Sequence, residues 1–89
     1  MKHYVYVIYS PVGDCYYRGY STQPNVRLEQ HLAGESRFTS KYNDWELKHI
    51  EIFDTKREAL QREKGLKKYS KSQLISLFNT PKNEIDKMG

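Results

Sequence analysis

The run His3-Tyr4-Val5-Tyr6-Val7-Ile8-Tyr9 constrains this chain more than any other stretch. It consists of β-branched and aromatic residues, the types that fit a pleated surface. Successive side chains of a strand point to opposite faces. Tyr4, Tyr6 and Ile8 therefore share one face, and Val5, Val7 and Tyr9 share the other. Both faces are apolar or aromatic, which predicts a central strand covered on both sides.

The rest of the chain reads as the cover. Ser10-Pro11-Val12-Gly13-Asp14 is a turn cluster, and Cys15 to Ser21 reads as a second strand that closes an antiparallel hairpin. Ser21 and Thr22 are candidate N-caps, and Pro24 suits a first helical turn, so a helix is predicted from about Pro24 to Ala33, ending near Gly34. Val26, Leu28 and Leu32 supply its apolar contacts. Gly34 to Asp44 reads as a polar, basic loop. Trp45 to Phe53 alternates loosely, with Leu47 opposed to Lys48 and Ile50 to Glu51, and reads as a third strand. Asp54 or Thr55 can cap the next helix. Tyr69-Ser70 breaks it, and Lys71 to Phe78 forms a last one. The order β-β-α-β-α-α predicts an α+β fold, a small three-stranded antiparallel sheet flanked by helices. Residues 1–79 form the domain, and residues 80–89 are expected to be a polar, frayed tail.

Within the helical stretch from Thr55 to Lys68, Glu63 is out of place. At roughly 100° per residue it falls inside the arc defined by Ala59, Leu60 and Leu66. A carboxylate turned inward needs a cation partner, a metal ion or a shared proton. Lys67 at i+4, or Arg27 on the earlier helix, could be that partner. Fifteen Lys plus Arg against eleven Asp plus Glu give a net charge of +4, which favours an anionic partner such as nucleic acid. Cys15 is the single cysteine, which excludes an internal disulfide and a cysteine-based zinc site. The opening residues have no signal-peptide pattern, and no apolar run approaches a membrane span, so a reducing cytoplasmic setting is expected.

Two strand tyrosines (Tyr6 and Tyr17), Gly19, the helical pair Arg27 and His31 four residues apart, and Glu63 on a later helix form an ordered set. With the opening YVYVIYS, the second strand YYRGYST and the helix segment REKGLKK, the chain resembles the GIY-YIG nuclease superfamily from Tyr4 to about Leu77. It is closest to the small stand-alone members that consist of the nuclease domain alone. The resemblance implies a metal-dependent endonuclease that hydrolyses phosphodiester bonds in DNA or structured nucleic acid, with DNA favoured over RNA. It implies that Glu63 holds one magnesium or manganese ion, a hard cation that prefers oxygen ligands and keeps several waters. It places Tyr17 beside the attacking water as general base or proton relay, which for a phenol of pKa near 10 requires nearby positive charge. Tyr6 would hydrogen-bond water or phosphate. Arg27 would grip the scissile phosphate with its fork of donors. His31 would accept a proton from water, directly or through Tyr17. Gly19 would let backbone or substrate come close.

The chain departs from the family pattern at three positions. Tyr4 stands where the first motif half has glycine, Arg18 where the second half has isoleucine or valine, and Tyr20 where related excision-repair endonucleases have lysine. Arg18 alternates away from Tyr17. A nucleic-acid surface is predicted from Arg37, Lys41, Lys64, Lys67, Lys68 and Lys71, in which basic charge lies among Phe38, Tyr42 and Tyr69. The alternative function on this fold is a nucleic-acid-binding module without turnover. His3 and His49 have no partner pattern and read as non-functional.

Overall fold

The computed structural model describes residues 1–35 and 39–88. Its elements are β1 (His3–Ser10), β2 (Cys15–Ser21), α1 (Pro24–Leu32), β3 (Glu46–Phe53), α2 (Lys56–Leu66), α3 (Lys71–Phe78) and a short 3-10 helix, Ile85–Met88. The three strands form one antiparallel sheet of order β2-β1-β3. The run that is apolar on both faces is the middle strand, and the architecture is the expected α+β order. Tyr6 pairs with Gly19 on one side and Ile50 on the other, and a register shift in the β1–β3 ladder falls between Val7 and Ile8.

Strand alternation divides the core in two. Val5 and Val7 meet Ala59 and Leu66 of α2 and Leu74 and Leu77 of α3. Tyr6 and Ile8 face the other way, toward Ile50 and Trp45, with Leu28 of α1 packed alongside. Burying each large apolar side chain contributes about 1.5–3 kcal/mol, and Leu66→Ala in the first layer would cost about 2–5 kcal/mol.

Local chemistry sets the helix ends. Thr55 caps α2 by accepting the Glu58 N–H at 3.2 Å, an interaction worth about 1 kcal/mol. Ser70 and Gln73 form a reciprocal capping box on α3. The start of α1 differs from the expectation. Gln23 is the N-cap without a side-chain bond, and Ser21 instead accepts the Gln23 N–H at 2.9 Å, leaving Pro24 to open the helix. Gly34 follows α1 with φ +76°, a conformation that favours glycine.

Polar side chains also take part in the packing of the sheet against its helices. Glu51 is only 6% exposed. The Arg62 guanidinium forks onto it at 2.9 and 3.1 Å, and His49 Nε2 lies 2.7 Å from the same carboxylate. Burial pushes the Glu51 pKa up, but the bonds from His49 and Arg62 outweigh it and hold the carboxyl below its usual range. Arg62 is therefore a core-side partner of Glu51. Arg18 donates to the carbonyls of Leu66 and Tyr69 at 3.2 and 3.0 Å, closing the C-terminal end of α2 with a cation where the helix dipole is negative.

The segment expected to fray is docked. Asn83 accepts the Ile50 N–H and donates to the Lys48 carbonyl, and Glu84 accepts the Ile52 N–H at 2.7 Å. The Glu84 N–H in turn bonds the Ile50 carbonyl at 2.8 Å. These groups satisfy the outer edge of β3 in place of a fourth strand. Among the described residues, no helix is long and apolar enough to cross a membrane.

Candidate active site

Tyr6 is the hub. Gly19 lies opposite it on β2, and a methyl group at Gly19 would overlap the Tyr6 phenol. The absent side chain thus makes room for the Tyr6 ring, a more specific role than close approach of backbone or substrate. From this position Tyr6 Oη reaches His31 Nε2 on α1 at 2.8 Å. The Tyr17 ring also packs against His31, with centroids 5.1 Å apart.

The electrostatics of Tyr6 identify its other neighbours. Burial first, then Tyr17, push its phenol up to about 12; Glu63 adds to the rise, while Arg27 opposes it through its charge and a hydrogen bond. Tyr17, Arg27, His31 and Glu63 therefore all act on one phenol. Arg27 is half-buried, and Gln30 accepts its Nη1 hydrogen at 2.8 Å. The guanidinium is thereby oriented before any ligand arrives.

His31 is placed differently from the expectation. It is fully buried, and burial followed by the Arg27 charge pulls its pKa down to about 4. It is neutral at pH 7 and has no exposed surface from which to take a proton directly from bulk water. Its polar link to the site runs through the Tyr6 hydroxyl. Its other ring nitrogen, Nδ1, lies 2.7 Å from Thr39 Oγ1, and the Thr39 carbonyl accepts the Trp45 indole N–H at 2.9 Å. Thr39 does not stand out in the sequence, because it lies in a loop with no periodicity, and Trp45 reads only as the start of the third strand.

Glu63 is half-buried on α2, one turn from Ala59 and from Leu66. Among the described residues no cation makes an ion pair with it, neither Lys67 nor Arg27. The described residues also contain no cluster of three or more metal-ligating side chains. A lone carboxylate suits a hard divalent cation that keeps most of its waters, as magnesium does with one or two protein oxygens and a substrate phosphate. The donor set fits that ion and does not fit zinc, which takes three or four protein ligands.

A recess of about 250 Å³ opens where β2 meets α2, lined by Tyr16, Tyr17, Arg18 and Lys67. Lys64 lines a second recess on the outer face of α2 with Lys56, Arg57, Leu60 and Gln61. Lys41, Lys67 and Lys68 are exposed. Lys71 is tied to Asp14, 2.8 Å from its carboxylate. Arg37 and Phe38 lie outside the described residues. Of the departures from the family pattern, Tyr4 packs beside the Tyr6 layer, Arg18 points to α2, and Tyr20 bonds His3 at 2.7 Å under Lys56.

Comparison with known proteins places the chain in a family. Residues 2–76 match the family described as the GIY-YIG catalytic domain. A UPF0213 protein of Halobacterium salinarum is 40% identical over 77 residues, covering 85% of this chain and 99% of its own. A UPF0213 protein of Staphylococcus aureus is 33% identical over 78 residues, covering 86% and 94%. The solution NMR structure of a UPF0213 protein from Bacillus halodurans superposes with a TM-score of 0.56 at 30% identity, covering 91% of this chain and 89% of that one.

Proposed function

Because the chain belongs to the GIY-YIG catalytic-domain family, we propose that it is a metal-dependent endonuclease acting on DNA or a structured nucleic acid. The observation that carries this reading is the convergence on Tyr6: two phenols, a neutral imidazole, an oriented guanidinium and a carboxylate without a cation partner among the described residues. Phosphodiester hydrolysis needs a positioned water, compensation of the charge developing on phosphorus, and help for the leaving oxygen.

Each need has a residue. Tyr17 is the half-exposed phenol and serves as general base once ionised, or as a relay that takes the proton of the attacking water while passing its own to solvent. Tyr6 holds that water in line. Arg27, steadied by Gln30, meets the phosphate oxygens as negative charge builds. Glu63 would hold a magnesium or manganese ion, whose charge, when bound, polarises the phosphate and favours departure of the leaving oxygen. Lys67 beside Tyr17 supplies a phosphate contact along the flanking strand, with Lys64, Lys68 and Lys41 farther out. Lys71 contributes less, because Asp14 already holds it.

The test is cleavage of plasmid, branched DNA and structured RNA in magnesium and in manganese. The wild type should cut. Glu63→Ala should abolish cutting while unfolding at the same denaturant concentration within about 0.5 kcal/mol. A protein that cuts none of these substrates, yet binds them with strong salt dependence, is the non-catalytic binding module instead.

A further inference from the structure

Thr39 and His31 are both fully buried, and together with Tyr6 they form a chain of two hydrogen bonds. A neutral imidazole carries one N–H and one lone pair, so this chain can run in two directions. In the first, His31 Nδ1–H donates to Thr39 Oγ1, and Nε2 accepts the Tyr6 hydroxyl proton. In the second, Thr39 donates to Nδ1, and Nε2–H donates to the Tyr6 oxygen.

The two directions differ in what they leave unpaired. The second aims the His31 N–H at the phenol oxygen, on which the Arg27 charge also acts. The proton of Tyr6 then has no acceptor among the described residues, although Tyr6 is only 2% exposed. A buried donor left without a protein partner is disfavoured relative to one that is paired. The first direction pairs the His31 proton with Thr39 and the Tyr6 proton with His31, and leaves the phenol lone pairs for Arg27 and one further donor.

We propose that Thr39 is a positioning residue that holds His31 as its Nδ1–H tautomer, so that Tyr6 faces the site as an acceptor only. The proposal rests on reading this site as a phosphodiesterase, and it decides between the two partners open to Tyr6. A phosphate oxygen only accepts, and so does a phenol whose proton is committed to His31; they do not bond each other. A water O–H can donate to that phenol, which leaves a water lone pair free to attack phosphorus. Tyr6 is then the residue that aims the nucleophile, and Thr39 sets it through two bonds without touching substrate.

The experiment is long-range 1H–15N correlation NMR of the His31 ring in 15N-labelled protein at neutral pH, without substrate, for wild type, Thr39→Val and Thr39→Ser. Valine keeps the shape of threonine and the carbonyl that accepts the Trp45 N–H, so the fold is retained. Wild type should show Nδ1 protonated and Nε2 bare. Thr39→Val should bring up the Nε2–H form, and Thr39→Ser should return it to the wild-type pattern. In nicking assays Thr39→Val should lower kcat roughly five- to tenfold, the equivalent of one hydrogen bond, with KM little changed. A wild-type ring protonated at Nε2, or a Thr39→Val ring unchanged from wild type, overturns the proposal. Because the tautomer is read without substrate, a wild type that cuts nothing defeats the phosphodiesterase reading alone.

Discussion

Replacing Tyr6 by phenylalanine removes one oxygen atom and keeps the ring that fills the space over Gly19. Its effect on stability follows from what that oxygen touches. The hydroxyl meets His31 Nε2 at 2.8 Å, and both residues are buried. Removing it leaves the buried imidazole nitrogen without its protein partner, which costs about 1–3 kcal/mol. Against this, phenylalanine is easier to bury than tyrosine, so the lower half of that range is expected. For a domain of this size 1 kcal/mol lowers the melting temperature by about 4–8 °C, so Tyr6→Phe should melt about 5–12 °C below wild type. Calorimetry with matched urea titrations measures it. Nicking should fall by at least about a hundredfold, more than a bond of this size explains, because the oxygen also aims the water. A variant that melts within about 2 °C of wild type would refute the reasoning, since the Tyr6–His31 bond would then not exist in solution.

The remaining predictions use other parts of the structure. Gly19→Ala places a methyl group on the Tyr6 phenol and should cost about 1–3 kcal/mol by overpacking, with loss of nicking; urea titration and a nicking assay read both. His31 has its pKa lowered from 6.5 to about 4 by burial, first, and then by the Arg27 charge. The unfolded chain takes up a proton below pH 6.5 that the folded chain refuses until about pH 4, so stability is fully present above 6.5 and falls as pH drops through that window. The loss is up to about 3 kcal/mol, and His31→Gln should flatten that part of a urea-measured pH profile. Lys67→Ala should weaken nucleic-acid binding and make the slope of log K against log salt shallower by about one unit, checked by fluorescence titration at several salt concentrations. Deleting residues 80–89 should cost about 2–3 kcal/mol, from the unpaired Ile50 and Ile52 N–H groups, and promote edge-to-edge association visible by size-exclusion chromatography.

Much of the fold is legible in the sequence because the decisive signals are local. Period two with both faces apolar places β1 in the middle of the sheet, and Thr55 and Ser70 mark their helices through bonds to residues three positions on. What escapes local reading is the identity of distant partners. Glu51 alternates like a solvent-side residue, but the cation that makes its burial tolerable is Arg62, on the following helix. Asn83 and Glu84 look like a polar tail, and only the unpaired edge of β3 gives them a place. The candidate site shows the same division. Tyr6, Tyr17, Arg27 and Glu63 stand out by residue type and order. The buried position of His31 and its link to Thr39 do not, because a loop without periodicity carries no sign of where it returns.

The two outer strands of the sheet are treated differently, and the difference bears on where chemistry can occur. The edge of β3 is occupied by Asn83 and Glu84. β2 is the other end of the sheet, and its flank carries the recess lined by Tyr17, Arg18 and Lys67. An outer strand with free backbone groups invites pairing with another chain, and cationic side chains on or beside it discourage that. The same cations leave the flank accessible to a polyanion, whose phosphates they attract and whose backbone cannot extend a β-sheet. Tyr17 on β2 borders this flank, Glu63 comes from α2 on one face of the sheet, and Arg27 and His31 come from α1 on the other. Helices on both faces thus deliver their residues to the same end of the sheet, and the residue they share is the central-strand phenol of Tyr6. A site built this way requires a middle strand with both faces covered, which is the constraint that the opening run of the sequence imposes.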